Sequence, residues 1–552
     1  MHNLIEEPTL SAASNLNGPR RALSQEFLLC CIVVMLLAAS LRLYHISERS
    51  LWFDEAIAAN ISRGTLGHTL VLTRNEHSAP IIHPLVLYAV EKTAAGPLAV
   101  RTPSFVASLL AVFLMLCFVT IPSFDRKTAL LSALMLGMSA LQIRYAQEVR
   151  EYSLSVLYAT LLTYLFMAYS SRREGRGSLV PLYLALFAAP LVQYGLVLFG
   201  FGVLAALVVL GLNDRRWRIR ILEVTKASVF LGAGGLASYM LTLRYQWGET
   251  PSYLRDHYLT PDKSVAAFVL SNTHHLVTSF LPGLAAAVIS LVAILFYVVT
   301  PSRSRVVSPL FVLAVTSLGV VLACALLHVY PYGGVRQCLF LAPVLCLVAS
   351  TSLVQIANRF AGTMNRVVFV AIASVVVVSG VFQIRHLKPY AEVEDIHAVL
   401  SRLQTNVEPG DGVYIYFGAV PATDFYVKER DSGFMYGDFH RQSPDKFASE
   451  MLAGLCPGTN RIWIVFSHVY EDEDQRILND LSGNWEVASV LTTKGSALYM
   501  ARRRSAVAPD ASTDRDPSCG GKLVAATQKS VTQRPYDSFW DWNIRNLGPP
   551  GQ

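Results

Sequence analysis

The sequence is poor in charge. Only 15% of its 552 residues are Asp, Glu, Lys or Arg, against 53% hydrophobic residues, where a soluble domain carries about 25% charged residues. That shortfall excludes an ordinary soluble enzyme, and the apolar excess excludes a disordered chain. Cysteine is not arranged for chemistry. Cys30, Cys31, Cys117, Cys324, Cys338 and Cys346 lie in apolar blocks, and Cys456 and Cys519 lie in polar sequence with no CxxC or Cys/His spacing, so no metal framework is indicated. A P-loop, EF-hand, HExxH or GxGxxG in its proper context is missing, as are internal repeats. The formal net charge of +7 does not point to nucleic acid, because the basic residues cluster in short loops between apolar blocks, as membrane topology requires.

Those apolar blocks define the architecture. Candidate spans cover roughly 27–43, 103–121, 128–143, 152–170, 178–193, 195–212, 222–243, 283–300, 306–328, 337–357 and 366–384, about eleven helices by length and hydropathy. The run Phe27–Leu43 follows Arg20 and Arg21 and is read as an uncleaved anchor. Arg126 with Lys127, then Arg172, Arg173 and Arg176, then Arg215, Arg216, Arg218 and Arg220, then Arg303 with Arg305, and Arg359 with Arg366 each follow an even-numbered span. The expected topology therefore puts residues 1–25 in the cytoplasm and everything after residue 385 outside. Pro80–Ala95 is apolar but is broken by Glu91 and Lys92. It is expected to lie at the outer interface, inside a long external loop, 45–102. The fold class is thus a polytopic all-α membrane domain over 26–385, with the lipid bilayer as its partner, followed by a small external α/β domain over 390–503. In that domain Gly412–Val420 and Arg461–Val469 read as buried strands, and Glu392–Val407 and Pro444–Leu455 have helical spacing. The tail, 504–552, has the composition of a disordered segment.

Three polar motifs fall on the outer side of this topology. Ser50–Ala56 (SLWFDEA) places Asp54 and Glu55 beside Trp52 and Phe53. A carboxylate partly desolvated there could serve as a general base, or Asp54 could simply cap a short interfacial helix. Arg144–Tyr152 (RYAQEVREY) carries Glu148, Arg150, Glu151 and Tyr152, either as a solvated ion pair or as a wall of a polar pocket. His328–Gln337 (HVYPYGGVRQ) places Tyr332 and Arg336 at the start of a span, where an arginine can bind phosphate oxygens in a bidentate way or meet ordinary anionic headgroups. His83, Gln193–Tyr194 and His274–His275 are placed outside as well.

The ordered set SLWFDEA, IHPLVLY, RTPSFVASLLAVF, YAQEVREYSL and YPYGGVRQCLFLAPVL resembles a large family of bacterial membrane glycosyltransferases of the GT-C superfamily. That group includes the protein O-mannosyltransferases and the lipid A aminoarabinose transferase. The resemblance covers roughly residues 25–385. It implies a GT-C fold, with Pro80–Ala95 as the second of two interfacial helices in the first external loop. It also implies a sugar donor carried on a polyprenyl monophosphate and transfer at the periplasmic face of the bacterial inner membrane to an envelope glycolipid, glycan or protein. Asp54 and Glu55 would be the catalytic residues. Arg336, His83, Glu148, Arg150, Tyr152, Tyr194 and Tyr332 would bind donor or substrate. Here one proline follows His83 where members often have two, and Gln193–Tyr194 stands where many have His-Tyr. A DxD motif is absent from the first loop, so no cofactor is expected and transfer should be metal-independent. A polytopic transporter, or a receptor built on 390–503, is the alternative. The 390–503 segment is expected to position the acceptor without an active site of its own. Ser467 and His468 are neighbours on a strand and should point to opposite faces.

Overall fold

The computed structural model describes residues 24–75, 80–171, 179–212, 217–246, 252–299, 308–427, 434–437, 451–452, 455 and 458–504. The expected tail beyond 504, nearly all of the N-terminal segment, most of Pro444–Leu455 and the loops holding Arg172–Arg176, Arg215–Arg216 and Arg303–Arg305 lie outside the described residues.

Helices dominate the first 387 residues. They are α1 (Gln25–Leu43), α2 (Phe53–Ile61), α3 (Leu66–Asn75), α4 (Ile82–Glu91), α5 (Pro97–Cys117), α6 (Arg126–Met138), α7 (Ala140–Ala146) and α8 (Tyr152–Ser170). There follow α9 (Val180–Val192), α10 (Leu196–Leu212), α11 (Trp217–Leu241), α12 (Val265–Phe280), α13 (Leu284–Val299), α14 (Pro309–Leu326), α15 (Ala342–Ala357) and α16 (Gly362–Leu387). Among the described residues seven helical segments are long and apolar enough to cross a membrane, or up to nine if each of two bent pairs is one span. With the shorter apolar helices α9 and α10, every expected span has a helix. The protein is a multi-pass membrane protein.

The two bent pairs show how a membrane bundle tolerates broken backbone. α6 and α7 meet at 64°, and α12 and α13 at 115°. A break leaves carbonyls and amides without their helical partners, and in a bilayer these must be satisfied from within. Arg42, wholly buried on α1, donates to Gly137 O at 2.9 Å and Leu136 O at 3.3 Å, the last carbonyls of α6, and to Ser108 Oγ at 2.7 Å. Gln383 on α16 serves both breaks. Its Oε1 accepts from Ala140 N at 3.1 Å, and its Nε2 donates to Thr278 O at 2.9 Å and Leu281 O at 3.0 Å. Helix α12 was not anticipated, because the polar run Ser271–His275 interrupts its hydropathy.

The C-terminal layer is a five-stranded sheet in the order β2-β1-β3-β5-β4. The strands are β1 (Gly412–Ile415), β2 (Phe434–Tyr436), β3 (Arg461–Ser467), β4 (Trp485–Thr493) and β5 (Ser496–Arg503), with helices α17 (Ile396–Asn406), α18 (Val420–Tyr426) and α19 (Glu473–Leu481). β1 runs parallel to β2 and β3, while β5 is antiparallel to β3 and β4. The expected strand Gly412–Val420 is shorter than its apolar run, because a 3-10 turn at Phe417–Ala419 passes it into α18. Alternation along β3 sorts the core. Ile462, Ile464 and Phe466 pack with Ile477 and Leu481 of α19. Trp463 and Val465 pack with Val399, Leu400 and Leu403 of α17. This second cluster also contains Leu51, Ala56, Ala59, Leu87, Val100 and Val149. One side of the sheet thus shares its core with the loop helices of the membrane part.

Candidate active site

The segment Ser50–Trp52 leads without regular structure into α2, and side chains of the C-terminal layer take up the amides of Ser50, Leu51 and Phe53. Ser50 N donates to Glu392 Oε1 at 2.6 Å, Leu51 N to the Tyr426 hydroxyl at 2.7 Å and Phe53 N to Glu394 Oε2 at 3.0 Å. Trp52, at the N-cap of α2, makes no side-chain cap bond, so Glu394 supplies from a distant segment what a local Ser or Asp usually supplies. Asp54 and Glu55 fall in the first turn of α2, where the helix dipole favours negative charge.

The two carboxylates then diverge. Glu55 is buried and is gripped by Arg101, with Nε to Oε1 at 3.0 Å and Nη2 to Oε2 at 2.7 Å; Val149 N adds a third bond at 2.9 Å. Arg101 is wholly buried and completes its fork on Ile46 O, Arg49 O and Ser50 O, at 2.8, 2.9 and 3.0 Å. Asp54 instead faces Arg336. Arg336 Nη1 donates to Asp54 Oδ2 at 3.1 Å, and the two side chains are 20% and 22% exposed. The guanidinium lies 6.0 Å from the Trp52 ring and 5.7 Å from the Tyr152 ring.

Around this pair stand the other expected residues. Arg144 Nε binds Glu148 Oε1 at 2.9 Å, while Glu148 Oε2 is buried without a partner among the described residues. Burial raises the Glu148 carboxyl above its ordinary value, and the nearby Glu55 charge adds to this against the opposing pull of Arg144. Arg150 lies 3.6 Å from Glu151 and 5.9 Å from the Tyr152 ring. His83 is buried close to Arg150 and its Nε2 has no partner among the described residues. The Tyr194 hydroxyl donates to Gln246 Oε1 at 2.6 Å and lies 2.9 Å from Thr242 Oγ1. Gln193 donates to the Tyr330 hydroxyl at 3.3 Å, and its Oε1 is a further buried, unpartnered atom. A Cβ on Gly195 would collide with that hydroxyl. Tyr332 is not part of the cluster. It is committed to the α12 side, its hydroxyl 2.8 Å from Thr273 Oγ1 and its amide on His257 O. His274 and His275 form no metal cluster, since no three His, Cys, Asp or Glu converge among the described residues.

Arg101, Tyr330 and Glu394 were not singled out from the sequence. An arginine inside an apolar span is a signal that could have found Arg101. The other two carry no local signal. The expectation for Ser467 and His468 also needs a correction: both side chains reach one carboxylate, Glu394, because β3 ends at Ser467 and His468 turns out of the strand.

Fold and junction together define a class, a multi-pass helical membrane protein bearing a small α/β layer. Among solved structures the chain is similar to ArnT from Cupriavidus metallidurans in the apo state, with a TM-score of 0.53 and 12% identity over 86% of this chain and 98% of that one. The same protein bound to undecaprenyl phosphate gives a TM-score of 0.52 and 12% identity over 87% and 98%. A weaker likeness is to the archaeal oligosaccharyltransferase AglB from Archaeoglobus fulgidus, in complex with an inhibitory peptide and a dolichol-phosphate, at a TM-score of 0.47 and 10% identity over 86% and 74%. No family model and no curated protein matches the sequence.

Proposed function

We propose that the protein is an inverting membrane glycosyltransferase that moves a sugar, a hexose or a pentose, from a polyprenyl-phosphate donor to a cell-envelope acceptor. The observation that carries this reading is the Asp54–Arg336 pair, two residues 282 positions apart meeting at 3.1 Å in a half-open notch. In the resting site the arginine occupies the carboxylate. A donor phosphate competes for Arg336, which a phosphate can engage in a bidentate way, and this frees Asp54. Asp54 then takes the proton of an acceptor hydroxyl as its oxygen bonds to the anomeric carbon. The bond from that carbon to the phosphate oxygen breaks, and the polyprenyl phosphate leaves with its charge on Arg336. One base and one displacement invert the anomeric centre, unlike the paired carboxylates of retaining hydrolysis. The solved ArnT complex with undecaprenyl phosphate supports a lipid-phosphate donor. Glu55 orients the helix through Arg101, and the buried unpartnered atoms of His83 and Gln193 are suited to the hydroxyls of a sugar.

The orientation belongs to the same reading: a bacterial inner-membrane protein with its N-terminus in the cytoplasm and the site at the periplasmic face. Arg126 and Lys127, bonded to Ser24 and Asn365, start α6, and Arg359 and Arg366 flank the start of α16; basic helix ends of this kind belong in the cytoplasm. We also propose that transfer needs no metal, because arginines already engage both carboxylates of the motif. An envelope glycolipid of the lipopolysaccharide type is favoured over a protein acceptor on the likeness to ArnT. The test is transfer of labelled sugar from polyprenyl phosphate by purified protein in lipid bilayers, with and without EDTA. Unchanged turnover in Asp54→Asn removes the base assignment, and loss with EDTA restored by Mn²⁺ removes metal independence. Comparing envelope lipids of a deletion strain with wild type by mass spectrometry identifies the acceptor.

A further inference from the structure

The first amide of the helix that carries Asp54, that of Phe53, is taken up by one carboxylate of the C-terminal layer, Glu394. Glu394 lies in the link between α16 and α17. Its Oε2 accepts from Phe53 N at 3.0 Å and from Ser467 Oγ at 3.4 Å, and its Oε1 meets His468 Nδ1 at 2.6 Å. The His468 ring then lies flat on the Phe53 ring, with centroids 4.3 Å apart and planes 7° from parallel. Tyr470 packs edge-on against the other side at 5.3 Å. Two oxygens and one stacked ring therefore tie the first turn of α2 to the end of the central strand β3.

That end is a costly place to build. His468 has φ +50, in the left-handed region that residues with a β-carbon avoid. The turn is also crowded. A Cβ on Gly418 would come within 2.5 Å of Ser467 O and 2.7 Å of His468 O, so the neighbouring loop needs glycine there. Strain of this kind persists where the surroundings over-determine it, and it concentrates at functional sites.

We propose that Glu394 and His468 are positioning residues of the transfer site, setting the first turn of α2, and with it Asp54, against Arg336. The inference rests on the reading of Asp54 as the base. It makes the α/β layer part of the site and not only a platform for the acceptor. Trp52 supplies no cap, so removing Glu394 leaves the Phe53 amide an orphan donor and the first turn frays. Asp54 is the second residue of that turn and moves with it. A displacement of about 1 Å at a reacting group costs on the order of a hundredfold in rate.

The test uses the full chain in lipid nanodiscs, comparing Glu394→Ala, Glu394→Gln and His468→Ala. It reads kcat, donor KM and hydrogen exchange over residues 52–56. Glu394→Ala is expected to lower kcat about 10- to 100-fold with donor KM within about threefold, and to speed exchange over 52–56. Glu394→Gln keeps an oxygen for the Phe53 amide and is expected to recover to within about fivefold of wild type. His468→Ala falls between them, and it carries the comparison if Glu394→Ala does not accumulate. Wild-type kcat in the alanine variants, equal losses in Ala and Gln, a donor KM that rises in step with the fall in kcat, or unchanged exchange each overturn the proposal. If the wild type transfers no sugar, the proposed function fails and exchange alone decides. Faster exchange confined to 52–56 in Glu394→Ala, and absent in Glu394→Gln, then shows that Glu394 sets the first turn of α2, while its role in transfer falls with the proposed function.

Discussion

Asp54 and Glu55 are adjacent in sequence and each meets an arginine, yet the two regions they enter are built on opposite principles. Around Arg101 the wedge is closed. Both side chains are out of water, the contact is bidentate, and every remaining guanidinium donor named above ends on a backbone carbonyl. Around Arg336 the notch is open, with both side chains of the Asp54 pair about one-fifth exposed. A buried pair tolerates the loss of neither partner, because the survivor is left as an uncompensated charge. An exposed pair contributes little to stability and can yield to a ligand. The wedge is framework, and the notch is the part that the proposed chemistry uses.

The largest effect should come from the wedge. Arg101→Ala strands Glu55 and three carbonyls, and is expected to cost about 3–5 kcal/mol, read as a fall in thermal midpoint or failure to accumulate. Asp54→Asn should leave the midpoint nearly unchanged, within about 1 kcal/mol, while turnover drops about a hundredfold or more. If Asp54→Asn destabilised the protein as much as Arg101→Ala does, the contrast between wedge and notch would collapse. Arg336→Ala should weaken binding of undecaprenyl phosphate about tenfold, the worth of one charged hydrogen bond, again at little cost in stability. Equal binding by the variant and the wild type would move the phosphate elsewhere.

The smallest effect concerns the rim between the two regions. The folded Glu148 carboxyl lies above its ordinary 4.5, so the folded state holds that proton more tightly than the unfolded chain does. The stabilisation is full below the unfolded value and is lost as pH rises through the folded value. The thermal midpoint of wild type should therefore fall over that window relative to Glu148→Gln, which has no proton to lose. Parallel pH curves for the two proteins would show that Glu148 is not linked to folding.

Legibility followed locality. Spans, the acidic motif and Arg336 were readable because each is a run of neighbours with a recognisable composition. α12 was missed where Ser271–His275 dilutes an apolar helix. The hairpin of β4 and β5 was missed because its strands are only half buried and show no continuous apolar run. Glu392, Glu394 and Tyr426 carry no pattern that separates them from the other polar and aromatic residues of 390–503. Their partners in Ser50–Phe53 lie more than 340 positions away, a distance that no local pattern spans.

The sequence by itself determined that this chain lives in a membrane, where most of its helices run and where its polar motifs lie, since hydropathy and charge act residue by residue along the chain. Only the tertiary structure decided which of two adjacent carboxylates is locked and which is available. That choice depends on which arginine arrives, how completely water is excluded and which side chain caps the helix. In each case the deciding group, Arg101, Arg336 or Glu394, comes from a distant segment that only folding brings to residues 53–55.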